Sequence, residues 1–273
     1  MDSNIKQNIS NNINSTLANI QEYNPINFVE DSLQINNILK SELRNQSDFK
    51  LCLNKLRALI KSNKPLFCSL FTNLISSYLS ILKSENMVPE EYMYVLVDIL
   101  HNKSEYEKYF KKWVEPILLS LLKFYVTHSG SKDNEQISRI CSYIEFWIDE
   151  FISLDENSIN YLIFLFEQTN TEVQKMSAFF FFKYIYRYDI NKIKKVDWKL
   201  FFGTCGDILD SNYIDDENKN VVNDIFKQIL IYFNKLNVDP NDVLIQGESL
   251  NSAKYFQTIT GFNMEKAKEK LRD

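Results

Sequence analysis

The side chains best suited to acid–base or metal chemistry are rare in this 273-residue sequence. It contains two histidines, His101 and His128, and neither has a second histidine, a cysteine or a carboxylate at metal-ligand spacing. Both lie near predicted helix ends, where a partly exposed imidazole helps to satisfy terminal carbonyl groups. We therefore expect no catalytic or metal-binding histidine, no metal and no other cofactor.

Patterns for nucleophilic or phosphate chemistry are also missing. No G-x-S-x-G elbow occurs, and the segment Gly203-Thr204-Cys205-Gly206 is not G-x-G-x-x-G and falls inside a predicted helix, which indicates a helix irregularity and not a phosphate loop. The cysteines are widely separated and form no C-x-x-C pair, so we expect reduced, mostly buried thiols. These are Cys52, Cys68, Cys141 and Cys205. The sequence predicts that the protein is not an enzyme.

The charged segments are better explained by helix ends than by ligand sites. Asp215, Asp216 and Glu217 lack the glycine and glutamate of a calcium loop, whereas carboxylates in the first turn of a helix complement its dipole. The most basic segment has two interpretations, and both stay open. It binds an acidic protein surface or a phosphate backbone, or it is the solvated end of a helical hairpin. Its cations are Lys183, Arg187, Lys192, Lys194, Lys195 and Lys199. The net charge of −5 argues against nucleic acid as the partner.

The composition favours helices. Hydrophobic residues make up 45% of the chain, but only 5 glycines and 5 prolines are present, too few for the turns of a β-sandwich or barrel. No apolar run reaches the length of a membrane span, and the N-terminus does not read as a signal peptide. We therefore expect a soluble, cytoplasmic protein, with the cytoskeleton included as a location.

Apolar helical stretches recur in pairs separated by short polar breaks. About 39 residues per pair is close to the 40–47 residues of HEAT and armadillo units. The pattern predicts one all-α domain over residues 24–273, an α-solenoid (armadillo/HEAT-like superhelix) of about six helical hairpins. The predicted pairs are 26–45 and 48–62, 65–84 and 89–101, 104–127 and 134–152, 156–169 and 171–188, 196–209 and 216–236, and 240–247 and 249–259, followed by a helix from Met264 to Leu271.

Other features refine this picture. Pro116 is expected to kink its helix, and Trp113 and Trp147 are expected to pack in the core. Residues 1–23 form an Asn-rich amphipathic helix or tail whose apolar stripe either caps the first repeat or pairs with a second copy. We expect a monomer, and the oligomeric state stays open.

The run Ser47-Asp48-Phe49-Lys50-Leu51-Cys52-Leu53-Asn54-Lys55-Leu56-Arg57-Ala58-Leu59 resembles the opening repeat of TOG domains, the tubulin-binding six-HEAT arrays of the microtubule polymerase, CLASP and crescerin families. In that family an exposed aromatic residue followed by a basic one begins the second helix of the first repeat, and Phe49 and Lys50 would occupy those positions. The run from Asn170 to Lys175 looks like the family's N-x-x-V-R-K helix start, and Asn212, Lys219 and Val221 resemble a stretched version. The sequence departs from the pattern where Phe replaces Trp and where Gln174 and Val222 replace arginines.

The resemblance implies a non-catalytic module that grips tubulin with the edge formed by its hairpin turns. One aromatic anchor and several lysines would meet an acidic partner there. The residues of this predicted protein-binding site are Phe49, Lys50, Lys132, Lys175 and Lys219. Alternatively, Phe49 packs onto the preceding helix, and the chain is a generic HEAT/armadillo adaptor that binds a peptide or protein in its concave groove, as a transport, phosphatase or trafficking scaffold.

Overall fold

The computed structural model describes residues 7–9, 11, 34–35, 37, 46–62, 75–82, 90–102, 107–130, 134–168, 170–186 and 195–237. Every regular element within these ranges is helical. The chain divides into two compact units, Met1–Ser153 and Leu154–Asp273. Most of the 1–23 segment, Cys68, Lys132, the predicted pair 240–259 and the helix at Met264–Leu271 lie outside the described residues.

Nine α-helices of at least five consecutive residues are described in these ranges, together with two short 3₁₀ segments. The helices of the first unit are α1 (Gln46–Ser62), α2 (residues 75–82), α3 (Glu90–His101), α4 (Glu107–His128) and α5 (Glu135–Leu154), which ends at the unit boundary. Those of the second unit are α6 (Asn160–Phe164), α7 (Thr171–Ile185), α8 (Trp198–Asp210) and α9 (Asp216–Leu236). The 3₁₀ segments Glu156–Ile159 and Leu165–Glu167 flank α6.

Polar side chains fix the starts of three helices in the second unit, as their sequence predicts. The side chain of Asn170 accepts a hydrogen bond from the Val173 backbone N–H, which caps α7. Asp197 caps α8, and Asp215 caps α9 by accepting from the Asn218 N–H. The acidic cluster before α9 is therefore a helix start, as predicted.

Consecutive helices form antiparallel hairpins. In the second unit, Ser177 Oγ of α7 donates to the Leu162 carbonyl of α6, and Gln174 Nε2, one turn earlier, donates to the Phe166 carbonyl further along. As the residue number falls along α7, the residue number of its partner rises, so the two segments run antiparallel. In the first unit, Phe110 near the start of α4 packs against Phe151 near the end of α5.

The second helices of successive hairpins pack side by side and run parallel. Arg57 and Lys50 of α1 each contact the α3 residue 41 positions further on, Asp98 and Glu91. Arg139 of α5 lies 49 positions beyond its α3 partner Glu90. In the second unit α7 and α9 pair in the same way, 42 positions apart. A nearly constant offset means that whole hairpins stack as repeats, so the predicted all-α solenoid class is confirmed for the described part of each unit.

Burial explains why two sequence irregularities do not interrupt the helices. Pro116 lies inside α4, which continues unbroken from Glu107 to His128, because Ile117, Leu118 and Leu121 beside it are fully buried. Gly203–Gly206 lies inside a helix and not in a phosphate loop, as predicted, and α8 runs through it without a break and buries Cys205.

Two further expectations need correction. The predicted helix 156–169 is instead 3₁₀, α and 3₁₀ segments in succession. It begins with the side chain of Asp155 bonded to the Asn157 N–H, which favours a tight turn. Trp147 is fully buried as predicted, whereas Trp113 is only half-buried and lines a surface cleft.

Candidate functional site

Phe49 and Lys50, the predicted aromatic anchor and its basic neighbour, lie in the first turn of α1. The Phe49 side chain is 4% exposed and belongs to the core of the first unit. Lys50 forms an ion pair of 3.1 Å with Glu91 of α3. A buried ring contributes to packing and is not available as a surface anchor in this conformation, so this structure gives Phe49 the packing role.

The two other predicted site residues that the structure describes lie near the hairpin turns of the second unit. Lys175 Nζ donates to Glu172 at 2.9 Å and to Glu217 at 3.1 Å. These two hydrogen bonds raise the pKa of Lys175. Lys219 is half-exposed in the first turn of α9, and Lys132 lies outside the described residues.

The edge of the second unit that carries these lysines is otherwise acidic. Its carboxylates are Glu172, Asp210, Asp215, Asp216 and Glu217, and all of them are exposed. Lys175 is bonded to two of them. Its charge is thus largely balanced locally, which lowers the attraction that this edge offers to an acidic partner.

A different surface of the second unit exposes large apolar side chains. Phe179 of α7 is 54% exposed and Ile231 of α9 is 55% exposed, although both helices bury their opposite sides in the core. Phe182 and Tyr186 of α7 are half-buried and adjacent, with ring centroids 6.1 Å apart. We call this surface the α7–α9 face and define it by Phe179, Phe182, Tyr186, Gln228 and Ile231.

Polar contacts fix the geometry of the α7–α9 face. Tyr186 Oη donates to the side-chain oxygen of Gln228 across the two helices at 3.1 Å, and its ring packs edge-on against Tyr232. The Lys235 ammonium lies 5.5 Å from the centroid of the Tyr186 ring. This arrangement holds an aromatic ring and a cation side by side at the rim of an apolar surface.

Of the four consecutive phenylalanines of α7, Phe180 and Phe181 are fully buried. Phe179 lies on the opposite side of the helix from Val173, Ser177 and the other buried positions. A helical wheel of this segment places Phe179 opposite those positions, and this was the sequence signal for its exposure.

A buried ion pair joins α1 to α3 in the first unit. Arg57 is 0% exposed and Asp98 is 3% exposed, and Arg57 Nε donates to Asp98 Oδ2 at 2.6 Å. The guanidinium also lies 5.0 Å from the centroid of the Tyr94 ring. Burial raises the pKa of Asp98, and the charge and hydrogen bond of Arg57 oppose this rise. Because both side chains are buried and bonded to each other, we interpret this group as structural.

The histidines and cysteines have structural surroundings. His101 ends α3 and lies 3.4 Å from Glu150, while His128 ends α4 and packs on Phe124. The described cysteines Cys52, Cys141 and Cys205 are free and buried. Among the residues the structure describes, no group of three or more metal-ligating side chains converges. Within those same ranges, no helix is both long and apolar enough to span a membrane.

The described part of the basic segment combines buried rings with surface lysines. Tyr184 and Trp198 are each 4% exposed, whereas Lys195 and Lys199 are exposed. The Lys183 ammonium lies 5.2 Å from the centroid of the Phe180 ring. Residues 187–194 lie outside the described part. The rings therefore belong to the core here, as the hairpin-end interpretation expects.

Comparison with known proteins gives structural likenesses only. No protein-family model matches the chain, and no curated protein matches it. An engineered protein of known crystal structure is 14% identical, covers 88% of this chain and 97% of its own, and has a TM-score of 0.32. A designed armadillo repeat protein is 15% identical, with 83% and 97% covered and a TM-score of 0.30.

A third structure, of computationally designed armadillo repeat proteins for modular peptide recognition, is also 15% identical, with 86% of this chain and 99% of that chain covered and a TM-score of 0.30. Scores of this size decide nothing about a ligand. The solenoid assignment therefore rests on the stacking of helices within each unit.

Proposed function

We propose that this protein is a non-catalytic helical-repeat scaffold that binds an extended segment of a partner protein along the α7–α9 face. The observation that carries the proposal is the exposure of Phe179 and Ile231 beside the half-buried rings of Phe182 and Tyr186. Apolar side chains grouped on one surface and rimmed by polar groups mark protein-binding sites more often than isolated exposed residues do.

The dimensions of the face suit a short extended peptide. Tyr186 of α7 lies level with Gln228 of α9, so Ile231 lies about ten residues, or roughly 15 Å, further along the helix axis than Phe179. Neighbouring helix axes are about 9 Å apart. The two apolar side chains are therefore separated by roughly 17 Å, which about five residues of extended chain would span.

The polar groups around the face suit a peptide backbone. Gln228, Asn220 and Asn234 are exposed on α9, and each amide both donates and accepts hydrogen bonds. An extended peptide leaves its N–H and C=O groups unpaired, so side-chain amides beside apolar contacts would satisfy them. This combination favours a peptide segment over a folded surface, whose backbone groups are already bonded.

The test selects binders from a library of displayed 12-residue peptides and measures their affinities by fluorescence anisotropy. We expect the Phe179→Ser, Ile231→Ser double variant to bind the selected peptides at least tenfold more weakly, because both apolar anchors are lost. Tyr213→Ser is the matched control, since Tyr213 is fully exposed but lies in the turn before α9. Selected peptides that bind the double variant as well as the wild type would refute the proposal.

The tubulin hypothesis is a finer version in which the hairpin-turn edge is the site. Its described candidates are Lys50, Lys175 and Lys219. Because Phe49 is buried, replacing it would disturb folding, so the sharper test keeps Phe49 and reverses the charges of the three lysines. Co-elution with tubulin in size-exclusion chromatography that the triple charge reversal abolishes would establish this version. The absence of co-elution at low and at physiological salt would reject it.

A further inference from the structure

A cleft of about 350 Å³ opens between α2 and α4 in the first unit. We propose that this cleft is a second binding site, independent of the α7–α9 face, for an extended peptide that carries a carboxylate at each end and apolar residues between them. Three features of the cleft favour such a peptide: its apolar floor, the charges on its rim and the position in α4 where Pro116 removes a helical hydrogen bond.

The floor of the cleft is apolar and aromatic. It is lined by Leu79 of α2 and by Trp113, Pro116 and Leu119 of α4. Trp113 is half-buried, whereas Trp147 and Trp198 are 0% and 4% exposed. A partly exposed indole in a concave surface is a common anchor in protein recognition. Ser76 and Ser120 also line the cleft and add hydroxyl groups.

The rim of the cleft carries two exposed lysines, Lys112 and Lys123. Neither forms an ion pair with any residue in the described ranges. On an α-helix, eleven residues correspond to about 16 Å, so the two ammonium groups lie near opposite ends of the cleft. In an extended peptide, about five residues cover that distance. A carboxylate at each end of such a segment would meet one lysine each.

Glu115 also lines the cleft, between the two lysines in the sequence of α4. It lies about 4.5 Å along the helix from Lys112, so its carboxylate repels negative charge just inside that end of a bound segment. This restricts the pattern to acidic ends with an uncharged, apolar centre that contacts Trp113. The cleft therefore favours a charge pattern and not acidity alone.

Pro116 supplies a hydrogen-bond acceptor on the cleft wall. Because proline has no N–H, the carbonyl of Lys112, four residues earlier, lacks its usual helical donor. Both residues line the cleft. A backbone N–H of an extended peptide would pair with this carbonyl, which is a polar contact that a regular helix cannot offer.

The test titrates the purified full chain with the peptide Glu-Leu-Phe-Ser-Glu-amide, labelled with a dye at its N-terminus, and follows anisotropy. Its two glutamates are four residues apart, so in an extended chain both glutamates and the central phenylalanine lie on one face. Tryptophan emission is followed in parallel with the unlabelled peptide. We expect saturable binding with a change in Trp113 emission, and we expect the Trp113→Phe variant to bind the dye-labelled peptide without that emission change. The peptide with lysine in place of both glutamates should bind at least tenfold more weakly.

Variants of the rim separate the site from general effects of charge or stability. Lys112→Glu with Lys123→Glu should weaken binding at least tenfold, whereas Lys219→Glu with Lys227→Glu, which changes the net charge equally, should not. Pro116→Ala restores the helical donor and should raise Tm while weakening binding, which a simple folding defect cannot do. Phe179→Ser with Ile231→Ser should leave this affinity unchanged, so failure here is distinguishable from failure of the α7–α9 face.

Three results would overturn the proposal. One is the absence of saturable binding at millimolar peptide. Another is equal binding of the acidic and basic peptides. The third is equal binding by the wild type and the Lys112→Glu, Lys123→Glu variant, which would place the peptide outside the cleft.

Discussion

The Arg57–Asp98 ion pair makes a quantitative prediction about the first unit. Both partners are almost fully buried, and their contact is 2.6 Å. Replacing Asp98 with the nearly isosteric asparagine removes the negative charge that Asp98 places beside the buried Arg57 guanidinium. Breaking a buried pair in this way costs about 3–5 kcal/mol, a large share of the ~5–15 kcal/mol that stabilises a typical domain.

The chain offers a matched control for this variant. Lys50 and Glu91 join the same two helices with the same offset of 41 positions, at 3.1 Å, but their side chains are 44% and 23% exposed. An exposed pair contributes about 0–1 kcal/mol. Lys50→Ala should therefore change the free energy of unfolding by less than about 1 kcal/mol. The difference between Asp98→Asn and Lys50→Ala then measures the effect of burial, because both pairs join the same two helices with the same offset.

The measurement is urea unfolding at pH 7, followed by circular dichroism and by tryptophan fluorescence. Coincident curves from the two probes would justify a two-state free energy. The double replacement Arg57→Met, Asp98→Leu should recover much of the loss, because an apolar pair of similar volume needs no counter-charge. If Asp98→Asn lowers the free energy of unfolding by less than about 1 kcal/mol, the buried pair does not contribute as predicted.

The single variant Arg57→Met adds a pH dependence. Burial raises the pKa of Asp98 above 3.8, and Arg57 opposes this rise. Without Arg57 the folded-state pKa rises further, so folding favours the protonated carboxyl. The contribution of Asp98 to the stability of Arg57→Met should therefore be fully present below pH 3.8 and be lost as the pH rises through the folded-state pKa. The difference in the free energy of unfolding between the wild type and Arg57→Met should be larger at pH 7 than at pH 4.

Two further predictions concern the thiols and the helix starts. Burial raises the pKa of Cys141 from 9.0 to about 11 and raises that of Cys205 further. At pH 8 the thiolate fraction of Cys141 should therefore be about 100-fold lower than that of an exposed cysteine. Mass spectrometry after iodoacetamide treatment should find both residues unmodified in the native protein and modified in urea, and rapid native modification would contradict their burial. Asn170→Ala and Asp215→Ala should each lower the free energy of unfolding by about 1 kcal/mol because a helix cap is lost. Tyr213→Ala, at a fully exposed position, should leave it unchanged, and equal effects of all three replacements would count against the caps.

The helical class and most helix boundaries were predictable because they depend on local signals. Apolar periodicity predicted α9 from residue 216 to 236, the observed bounds, and capping side chains marked its start. The segment 156–169 was less predictable, since its 3₁₀ turns depend on the Asp155 contact and on packing with α7. Propensity alone does not distinguish these conformations.

The candidate sites were less predictable because exposure is a tertiary property. Phe49 and Phe179 are both phenylalanines in helices, yet the first is buried and the second is half exposed. Lys175 was predicted as a rim charge, but its two carboxylate partners include Glu217 from the next hairpin. The buried Arg57–Asp98 pair joins residues 41 positions apart, and no local pattern indicates it.

The offset between stacked helices has a consequence for cooperativity. In the described part, the hydrogen bonds that join second helices span from 41 to 53 residues. Each hairpin is thus held by its immediate neighbours, as in a one-dimensional chain of coupled elements. Such a chain can lose its end hairpin while the next one stays folded. A partner that contacts both α7 and α9 would couple two hairpins directly. Binding would therefore make these hairpins unfold together, and at a higher denaturant concentration or temperature.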